Sequence, residues 1–420
     1  MKKVFYFIAT FLLLTSCIRT TDSTSQISAL EGMSTERLIR IDSVLNRAVE
    51  DKVIPGAVAL VTRNGQVVYE NAFGVANPRT GELYKNDDIF RIASMTKAVT
   101  SLAVLMLWEE GKFFLDDPIS AYIPSFANAR ILKDFNPKDS SYTSIPATKQ
   151  ITIRNLLTHT SGIGYGEIDS NIQMKAIYKK AGLTDIFAPE TNMKETIDLI
   201  AMQPLHHEPG AAFTYSLSLD VLGYFVEVIS GQGFDEFLKE RIFNPLKMED
   251  TYFTLPSSYQ NRLVPVLTRN KEEWEIYNTD VYDVNFPNIA DKTFFSGGAG
   301  LSSTVSDYAK FLYVFINGGK GASGVQLIGK KTTELVFENQ LKGIAPWEYG
   351  LGFQILSAAE LSKGGMGSEG TLTWGGYFNT SYFADPKEKV IGVIYKQTFD
   401  IGNDPTSQRF RELVFQAVVE

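Results

Sequence analysis

The sequence predicts an α+β fold, in which an antiparallel sheet built from both ends of the chain is flanked by helices and carries an inserted helical lobe. Hairpin patterns occur near both ends, whereas the middle, at about 98–290, is helical and rich in loops. The 420 residues, 44% of them hydrophobic, supply enough apolar material for a large core. We therefore expect one domain over 31–420, with an α/β lobe at about 31–97 and 291–420 and a helical lobe at about 98–290.

The first part of the sheet is predicted from residues 34–69. Apolar residues recur at helical spacing over 34–50, with Ser34 as the candidate N-cap. Two strand patterns, at 57–61 and 67–69, then flank Asn64-Gly65, which is a strong hairpin signal. The beginning of the domain is thus predicted to be a helix followed by a β-hairpin.

The second part of the sheet is predicted close to the other end. Strand patterns at 380–384 and 390–395 flank a polar turn, and 410–419 is predicted to be a closing helix. Between the two parts, the polar stretch 137–150 contains two prolines and is predicted to be a surface loop.

Residues 1–16 are predicted to be a lipoprotein signal peptide. A charged start precedes a short apolar run, which ends in Leu14-Thr15-Ser16-Cys17, a sequence typical of a bacterial lipobox. Cys17 is the only cysteine, so no internal disulfide can form. We expect a lipid on Cys17 to anchor the protein in the bacterial cell envelope, facing the periplasm, with 17–30 as a flexible tether. An ordinary signal peptide with an incidental cysteine is the alternative.

Composition and charge bear on which classes of partner the protein can bind, and they leave a small molecule as the expected partner. The net charge of −8 and the lack of a long basic run argue against nucleic acid, and contact with a membrane is expected only through the anchor. No cofactor is implied. His206 and His207 are adjacent and cannot share one helix face, so no metal site is expected. The oligomeric state stays open.

Ser94 and Lys97 form the candidate catalytic pair. They lie three residues apart at the start of an apolar helix, so the amine and the hydroxyl share one face. A serine hydroxyl needs an adjacent base, and an amine buried among apolar groups loses its proton more readily. The spacing alone leaves open a helix-capping serine followed by a solvated lysine.

Two further segments carry candidate site residues. Tyr215 follows a turn, and a phenol near a lysine could relay protons, although a buried structural tyrosine is the alternative. The segment Trp374-Gly375-Gly376-Tyr377 precedes the second hairpin. Its glycines would let the backbone approach a substrate, and a backbone N–H could complete an oxyanion hole. The alternative is a turn with a packed tryptophan.

In this order, the motifs resemble the serine β-lactamase-related family, which includes class C β-lactamases, D-alanyl-D-alanine carboxypeptidases and family VIII carboxylesterases. Further sequence motifs similar to those of the family occur in the same order, at 115–119, 122–124, 151–162, 209–210 and 297–304. The resemblance covers nearly all of the chain after residue 30. It implies the β-lactamase/penicillin-binding transpeptidase-like fold, with Ser94 at the junction of the two lobes.

The resemblance also implies roles for single residues. Ser94 matches the family nucleophile, Lys97 its helix partner, and Tyr215 the tyrosine of the second motif. The oxyanion donors would be the backbone N–H groups of Ser94 and Tyr377. His159 falls in a phrase that the family carries for structural reasons, and we assign it no chemistry.

Two departures from the family pattern point to the substrate. Leu217 replaces the asparagine of the second motif, and the neighbouring Ser218 is the candidate replacement for substrate contact. The third motif, Trp374-Gly375-Gly376, lacks the cation that would pair with a penicillin or D-alanine carboxylate. Trp374 would instead offer an apolar wall to an acyl or alkyl group.

The sequence therefore predicts a serine hydrolase that forms an acyl-enzyme on Ser94 and acts as a carboxylesterase on small or medium acyl esters. A β-lactamase or D-alanyl-D-alanine carboxypeptidase is the first alternative, which needs another cation, such as Lys363 or Lys396, in the cleft. A binding lipoprotein without catalysis is the second.

Overall fold

The structure is a computed structural model that describes residues 29–185 and 187–420, with the side chain of Ala29 left out. The predicted signal peptide and Cys17 lie outside the described residues. Within this range, the helices are all too short or too polar to cross a membrane.

The strands of the described residues are numbered in chain order. They are β1 Ala29–Leu30, β2 Met33–Ser34, β3 Gly56–Arg63, β4 Gln66–Asn77, β5 Glu82–Leu83, β6 Phe90–Arg91, β7 Arg130–Asn136, β8 Ser141–Pro146, β9 Leu267–Asn270, β10 Glu273–Ile276, β11 Ser302–Ser303, β12 Glu348–Tyr349, β13 Gln354–Ile355, β14 Leu372–Gly376, β15 Thr380–Asp385 and β16 Val390–Tyr395.

The α-helices are numbered in the same way. They are α1 Thr35–Leu38, α2 Arg40–Glu50, α3 Thr96–Glu109, α4 Ile153–Leu157, α5 Ile172–Lys180, α6 Met193–Ala201, α7 Ser218–Ser230, α8 Phe234–Leu238, α9 Asn244–Leu246, α10 Val305–Ile316, α11 Lys330–Val336, α12 Ala358–Leu361 and α13 Thr406–Gln416.

The central sheet has eight antiparallel strands in the order β12-β13-β14-β15-β16-β3-β4-β5. The C-terminal strand β16 pairs with β3, from Val390 opposite Arg63 to Tyr395 opposite Val58. The two predicted hairpins are therefore joined edge to edge, which confirms an antiparallel sheet built from both ends of the chain. Every residue of β3 is buried, because its two faces pack against different helices.

The two faces of the sheet border separate parts of the core. Ala57, Ala59 and Val61 pack on one face with the apolar stripes of α2 and α13. Val58 and Leu60 point to the other face, toward the larger cluster around α3. Helix α3 is buried from Thr96 to Leu107, and it lies against α7. This central helix therefore carries the catalytic candidates at its buried N-terminal end.

The predicted loop at 137–150 is partly wrong, because strand β8 pairs there with β7 as an exposed hairpin. Ser140 has a φ of 56° and sits in the turn between the two strands. The two exposed strands are held together by hydrogen bonds between main-chain groups. Because neither face of the hairpin is buried, the side chains do not alternate between polar and apolar, and the sequence carried no strand pattern.

Candidate active site

Ser94 lies in a tight turn between strand β6 and helix α3, and its side chain is largely buried. Ala93 has a φ of 42°, a conformation that costs a non-glycine residue about 1–3 kcal/mol. The turn is held at both ends, because Ile92 N donates to Leu301 O at 3.0 Å and Tyr308 OH donates to Met95 O at 2.8 Å. A strained but firmly held turn therefore presents the Ser94 hydroxyl.

The Lys97 amine lies at the centre of the site, and Lys97 as a whole is only 1% exposed to solvent. Its Nζ lies 3.4 Å from Ser94 Oγ, 2.8 Å from the hydroxyl of Tyr165 and 2.8 Å from the carbonyl oxygen of Gly298. An ammonium group could donate to all three oxygens, whereas a neutral amine can donate to Tyr165 and Gly298 and keep its lone pair toward the Ser94 hydroxyl. Lys97 is thus fixed beside Ser94, as the spacing of the two residues predicts.

The carbonyl of Gly298 is positioned by a buried carboxylate. Asp220 Oδ1 accepts hydrogen bonds from Gly298 N at 3.0 Å and from Ser296 Oγ at 2.5 Å. Burial raises the pKa of Asp220, and the charge of Lys97 acts in the opposite direction. A Cβ on Gly298 would lie 2.4 Å from Asp220 Oδ2, so only glycine fits at this position.

Tyr165 is the site residue that the sequence analysis missed. Its hydroxyl contacts Lys97, and its ring lies 5.1 Å from the ring of Tyr215. Burial raises the pKa of Tyr165 well above its ordinary value, and Tyr215 and Asp220 act in the same direction. One feature of the sequence could have identified Tyr165: it lies three residues after the family motif at 151–162.

The backbone of Tyr165 is held by Asp169. Asp169 Oδ2 accepts from Tyr165 N at 2.8 Å and from His206 Nε2 at 2.9 Å. Burial alone would raise the pKa of Asp169, but the hydrogen bonds from His206 and the backbone N–H groups of Asn171 and Tyr165 outweigh it, so this pKa is lowered. Asp169 is therefore a carboxylate that supports the second phenol of the site.

Tyr215 lies beside Lys97, as predicted, but contacts it through its ring. Lys97 Nζ is 4.6 Å from the ring centroid, a cation–π distance. Within the described part of the chain, the buried Tyr215 hydroxyl has no hydrogen-bond partner. The ring packs against Trp374 at 5.5 Å and His159 at 4.8 Å. A buried phenol without a partner is an available donor and acceptor in the cleft.

The candidate substrate contact at Ser218 is a correction. Ser218 is fully buried, and its Oγ lies 2.8 Å from Ser216 Oγ and 2.8 Å from Ser161 Oγ. This hydroxyl is committed to a buried chain that continues from Ser216 to His159 Nδ1 at 3.1 Å. Ser218 therefore supports the loop that carries Tyr215 and is not open to a substrate.

The third motif lies directly against the Ser94 turn. A Cβ on Gly376 would lie 2.4 Å from Ile92 O and 2.3 Å from Thr380 Oγ1, so the strand end can approach only because the residue is glycine. Trp374 packs against Tyr215 and remains partly exposed at the cleft. Among the described residues, nothing accepts a hydrogen bond from the backbone N–H of Tyr377.

Other candidate polar groups are engaged elsewhere. Lys396 Nζ bonds to Asp404 at 2.5 Å and to Ser407 Oγ at 2.8 Å, so this lysine does not supply a free cation to the cleft. His206 bonds to Asp169, whereas His207 bonds to Thr214 Oγ1 at 2.9 Å. The two adjacent histidines therefore point to separate partners.

Comparisons with known proteins identify the family of this chain. The sequence model of the beta-lactamase family matches residues 41–415. Esterase EstB of Burkholderia gladioli is 30% identical over 361 residues, which cover 82% of this chain and 86% of that protein. Lovastatin esterase of Penicillium rubens is 28% identical and covers 84% of this chain and 91% of its own length.

Solved structures with the same fold include EstCE1, described as a hydrolase with promiscuous acyltransferase activity. It has a TM-score of 0.77 and 25% sequence identity, with 90% of this chain and 99% of that chain covered. The predicted β-lactamase/penicillin-binding transpeptidase-like fold is confirmed.

Proposed function

We propose that this chain, which belongs to the beta-lactamase family of serine hydrolases, is a carboxylesterase that acts on esters of small or medium acyl groups through an acyl-enzyme on Ser94. The observation that carries the proposal is the Lys97 amine held 3.4 Å from Ser94 Oγ, in a cleft walled by Trp374 where a carboxylate-binding cation would otherwise stand. Relatives named as esterases support the same reaction class.

In the acylation step, Ser94 Oγ attacks the ester carbonyl carbon while Lys97, in its amine form, takes the hydroxyl proton. Tyr165 and Gly298 fix the amine while it acts. The alcohol then leaves as the C–O bond breaks and takes the proton of the Tyr215 hydroxyl, which is free of other partners, so that Tyr215 is left as a phenolate while Lys97 holds the proton from Ser94.

The negative charge on the carbonyl oxygen requires hydrogen-bond donors. We assign these to the backbone N–H groups of Ser94 and Tyr377, because Gly376 brings the third motif against the Ser94 turn. Each donor is worth about 3–4 kcal/mol of transition-state stabilisation in other acyl-transfer enzymes. Deacylation reverses the proton path, with Tyr215 activating a water that releases the acid.

The test is hydrolysis of p-nitrophenyl acetate and butyrate beside nitrocefin by wild type, Ser94→Ala and Ser101→Ala. Ser101 is a matched control, since it is a buried serine of the same helix that donates to the Lys97 carbonyl at 2.9 Å. We expect ester turnover in wild type and Ser101→Ala, its loss in Ser94→Ala, and little nitrocefin cleavage.

Two outcomes would favour the alternatives. Nitrocefin cleavage faster than ester cleavage would support β-lactam or D-alanyl peptide chemistry. No turnover, together with no labelling of Ser94 by a fluorophosphonate, would support a binding protein without catalysis.

The proposed location is the bacterial cell envelope, with a lipid on Cys17. Metabolic labelling with a palmitate analogue tests this in cells that express wild type and Cys17→Ala. Label in both proteins, or in neither, would contradict the anchor.

A further inference from the structure

A pocket of about 220 Å³ lies beside the third motif, and five aromatic rings line it. We call it the aromatic pocket; its rings belong to Phe187, Tyr277, Tyr282, Tyr377 and Phe399. Neighbouring rings are in contact, with centroids 4.4 Å apart for Tyr277 and Phe399 and 5.0 Å apart for Tyr377 and Phe399. The rings therefore form a continuous wall of π-faces and ring edges.

The aromatic pocket is linked to the proposed catalytic groups through two of its lining residues. Tyr377 contributes its ring to the pocket, and its backbone N–H is the proposed oxyanion donor. Glu167 also lines the pocket and follows Tyr165, the partner of Lys97, by two residues. A substrate whose carbonyl lies at Ser94 can thus extend one of its ends into this pocket.

The charge around the pocket is negative. Among its described lining residues, Glu167 is the one with a formal charge. Burial raises the pKa of Tyr377, and the carboxylates of Glu167 and Asp400 act in the same direction, so both lie within electrostatic reach of that phenol. The buried guanidinium of Arg91 lies within electrostatic reach of Tyr282 and of the Asp283 carboxylate, and it donates to main-chain oxygens, including Val284 O at 2.6 Å.

The buried hydroxyl of Tyr282 adds an unpartnered polar group to the same wall. Tyr282 is 9% exposed, and within the described residues its hydroxyl oxygen has no hydrogen-bond partner. Burial raises the pKa of Tyr282, so the group stays a neutral phenol. A phenol oxygen, π-faces and a carboxylate all attract positive charge, and the π-faces and the carboxylate also repel a carboxylate ligand.

We propose that the aromatic pocket binds an ammonium group carried by the ester, so that cationic esters are preferred substrates. The proposal rests on the proposed esterase function and names its substrate class. It also explains why Trp374 replaces a cation in the third motif, because both features disfavour an anionic substrate. The ammonium group belongs either to the alcohol or to the acyl part of the ester, and the test separates the two.

The experiment compares esters that differ only in charge. On the alcohol side, acetylcholine is paired with the neutral acetate in which a tert-butyl group replaces the trimethylammonium group. On the acyl side, p-nitrophenyl trimethylammoniobutanoate is paired with its tert-butyl isostere. We expect kcat/KM to favour the cation by about 2–30-fold within one pair, the range of a cation–π contact. The pair that shows the preference identifies the end of the ester in the pocket.

Glu167→Gln tests the charge and leaves the size of the pocket unchanged. The variant should lose most of the cation preference, measured as the ratio of kcat/KM between each cationic ester and its neutral isostere. Glu50→Gln, an exposed glutamate of α2 remote from the cleft, is the matched control and should keep the preference.

The two proposals fail in different ways. Equal rates for cation and isostere in both pairs, with p-nitrophenyl acetate still cleaved through Ser94, would overturn the pocket assignment alone. Absence of all ester cleavage would overturn the proposed function. Calorimetric binding of choline against its tert-butyl isostere tests the pocket independently of turnover, and equal affinity would overturn the assignment.

Discussion

The Lys97 side and the Trp374 side of the cleft differ in burial and in how firmly their groups are held. Lys97 is buried and contacts three acceptors, Asp169 and Asp220 Oδ1 accept hydrogen bonds in turn, and Asp220 Oδ2 has no partner within the described residues. On the other side, Trp374 is partly exposed, the Tyr377 N–H is free within the described chain, and the aromatic pocket is open to a ligand.

The difference separates chemistry from selectivity. The groups to which we assign proton transfer are built into the packed core, where a small displacement would be costly. Trp374, to which we assign substrate contact, lies in strand β14 and is partly exposed. We therefore expect changes on the Lys97 side to affect rate and stability together, and changes on the Trp374 side to affect substrate preference alone.

The largest effect is expected for Lys97→Met, which keeps an apolar side chain of similar length. Loss of the base should lower kcat/KM for p-nitrophenyl butyrate by roughly 10²–10⁴-fold. The Tyr165 hydroxyl oxygen and the Gly298 carbonyl oxygen would lose the donor that Lys97 provides. Because they would stay buried without it, the free energy of unfolding should fall by about 1–3 kcal/mol. Lys112→Met, at an exposed position, is the control and should change neither. Activity within ten-fold of wild type would remove Lys97 from the mechanism.

Tyr165→Phe tests whether the second phenol acts through Lys97. We expect kcat to fall by about 10–100-fold, because the amine loses one of its three acceptors. Tyr84→Phe is the matched control, since its buried hydroxyl makes one hydrogen bond, to Lys396 O at 3.0 Å. Both variants should lose similar stability, but only Tyr165→Phe should lose rate. Equal rates would limit Tyr165 to a structural role.

Asp169→Asn tests the support of Tyr165 through stability and its pH dependence. The lowered pKa of Asp169 means that its carboxylate stabilises the folded state above the unfolded pKa of about 3.9 and stops doing so as pH falls through the folded value. The variant should therefore be about 1–3 kcal/mol less stable at neutral pH. Denaturant unfolding should show this difference shrinking below about pH 4. A gap that is constant across pH would contradict the ionic contribution.

The smallest effect is expected for Trp374→Ala. Loss of its contacts with Tyr215 and an acyl chain should lower kcat/KM for p-nitrophenyl butyrate by about 2–10-fold, with kcat and stability nearly unchanged. Trp374→Phe should retain most of the activity. A large loss of stability in Trp374→Ala would show that the two sides of the cleft are not separable.

Local patterns predicted that the Ser94 hydroxyl and the Lys97 amine lie close together, because the two residues share one turn of one helix. Tyr165 could not be found in this way, since it lies 68 residues from Lys97 and meets it only after the helices pack. Ser218 is the opposite case, a residue that the sequence analysis assigned to the substrate site and that the structure places outside it. Its sequence position suggested a substrate contact, but a partner 57 residues away, Ser161, draws it into a buried chain.

The sheet was predictable at its two hairpins, since Asn64-Gly65 and the two strand patterns around the polar turn in 380–395 are local signals. The aromatic pocket was not, because its five rings come from segments spread between 187 and 399 and each reads alone as a core residue. These rings are brought together by tertiary packing, which no short sequence motif indicates.

Trapping of the acyl-enzyme tests the central claim most directly. Wild type and Tyr215→Phe would be quenched in acid during turnover of p-nitrophenyl butyrate, and the digested protein analysed by mass spectrometry. The account predicts a butyryl group on the peptide that contains Ser94, with higher occupancy in Tyr215→Phe because deacylation is slowed. A butyryl group on another residue, or turnover that persists in Ser94→Ala, would contradict it.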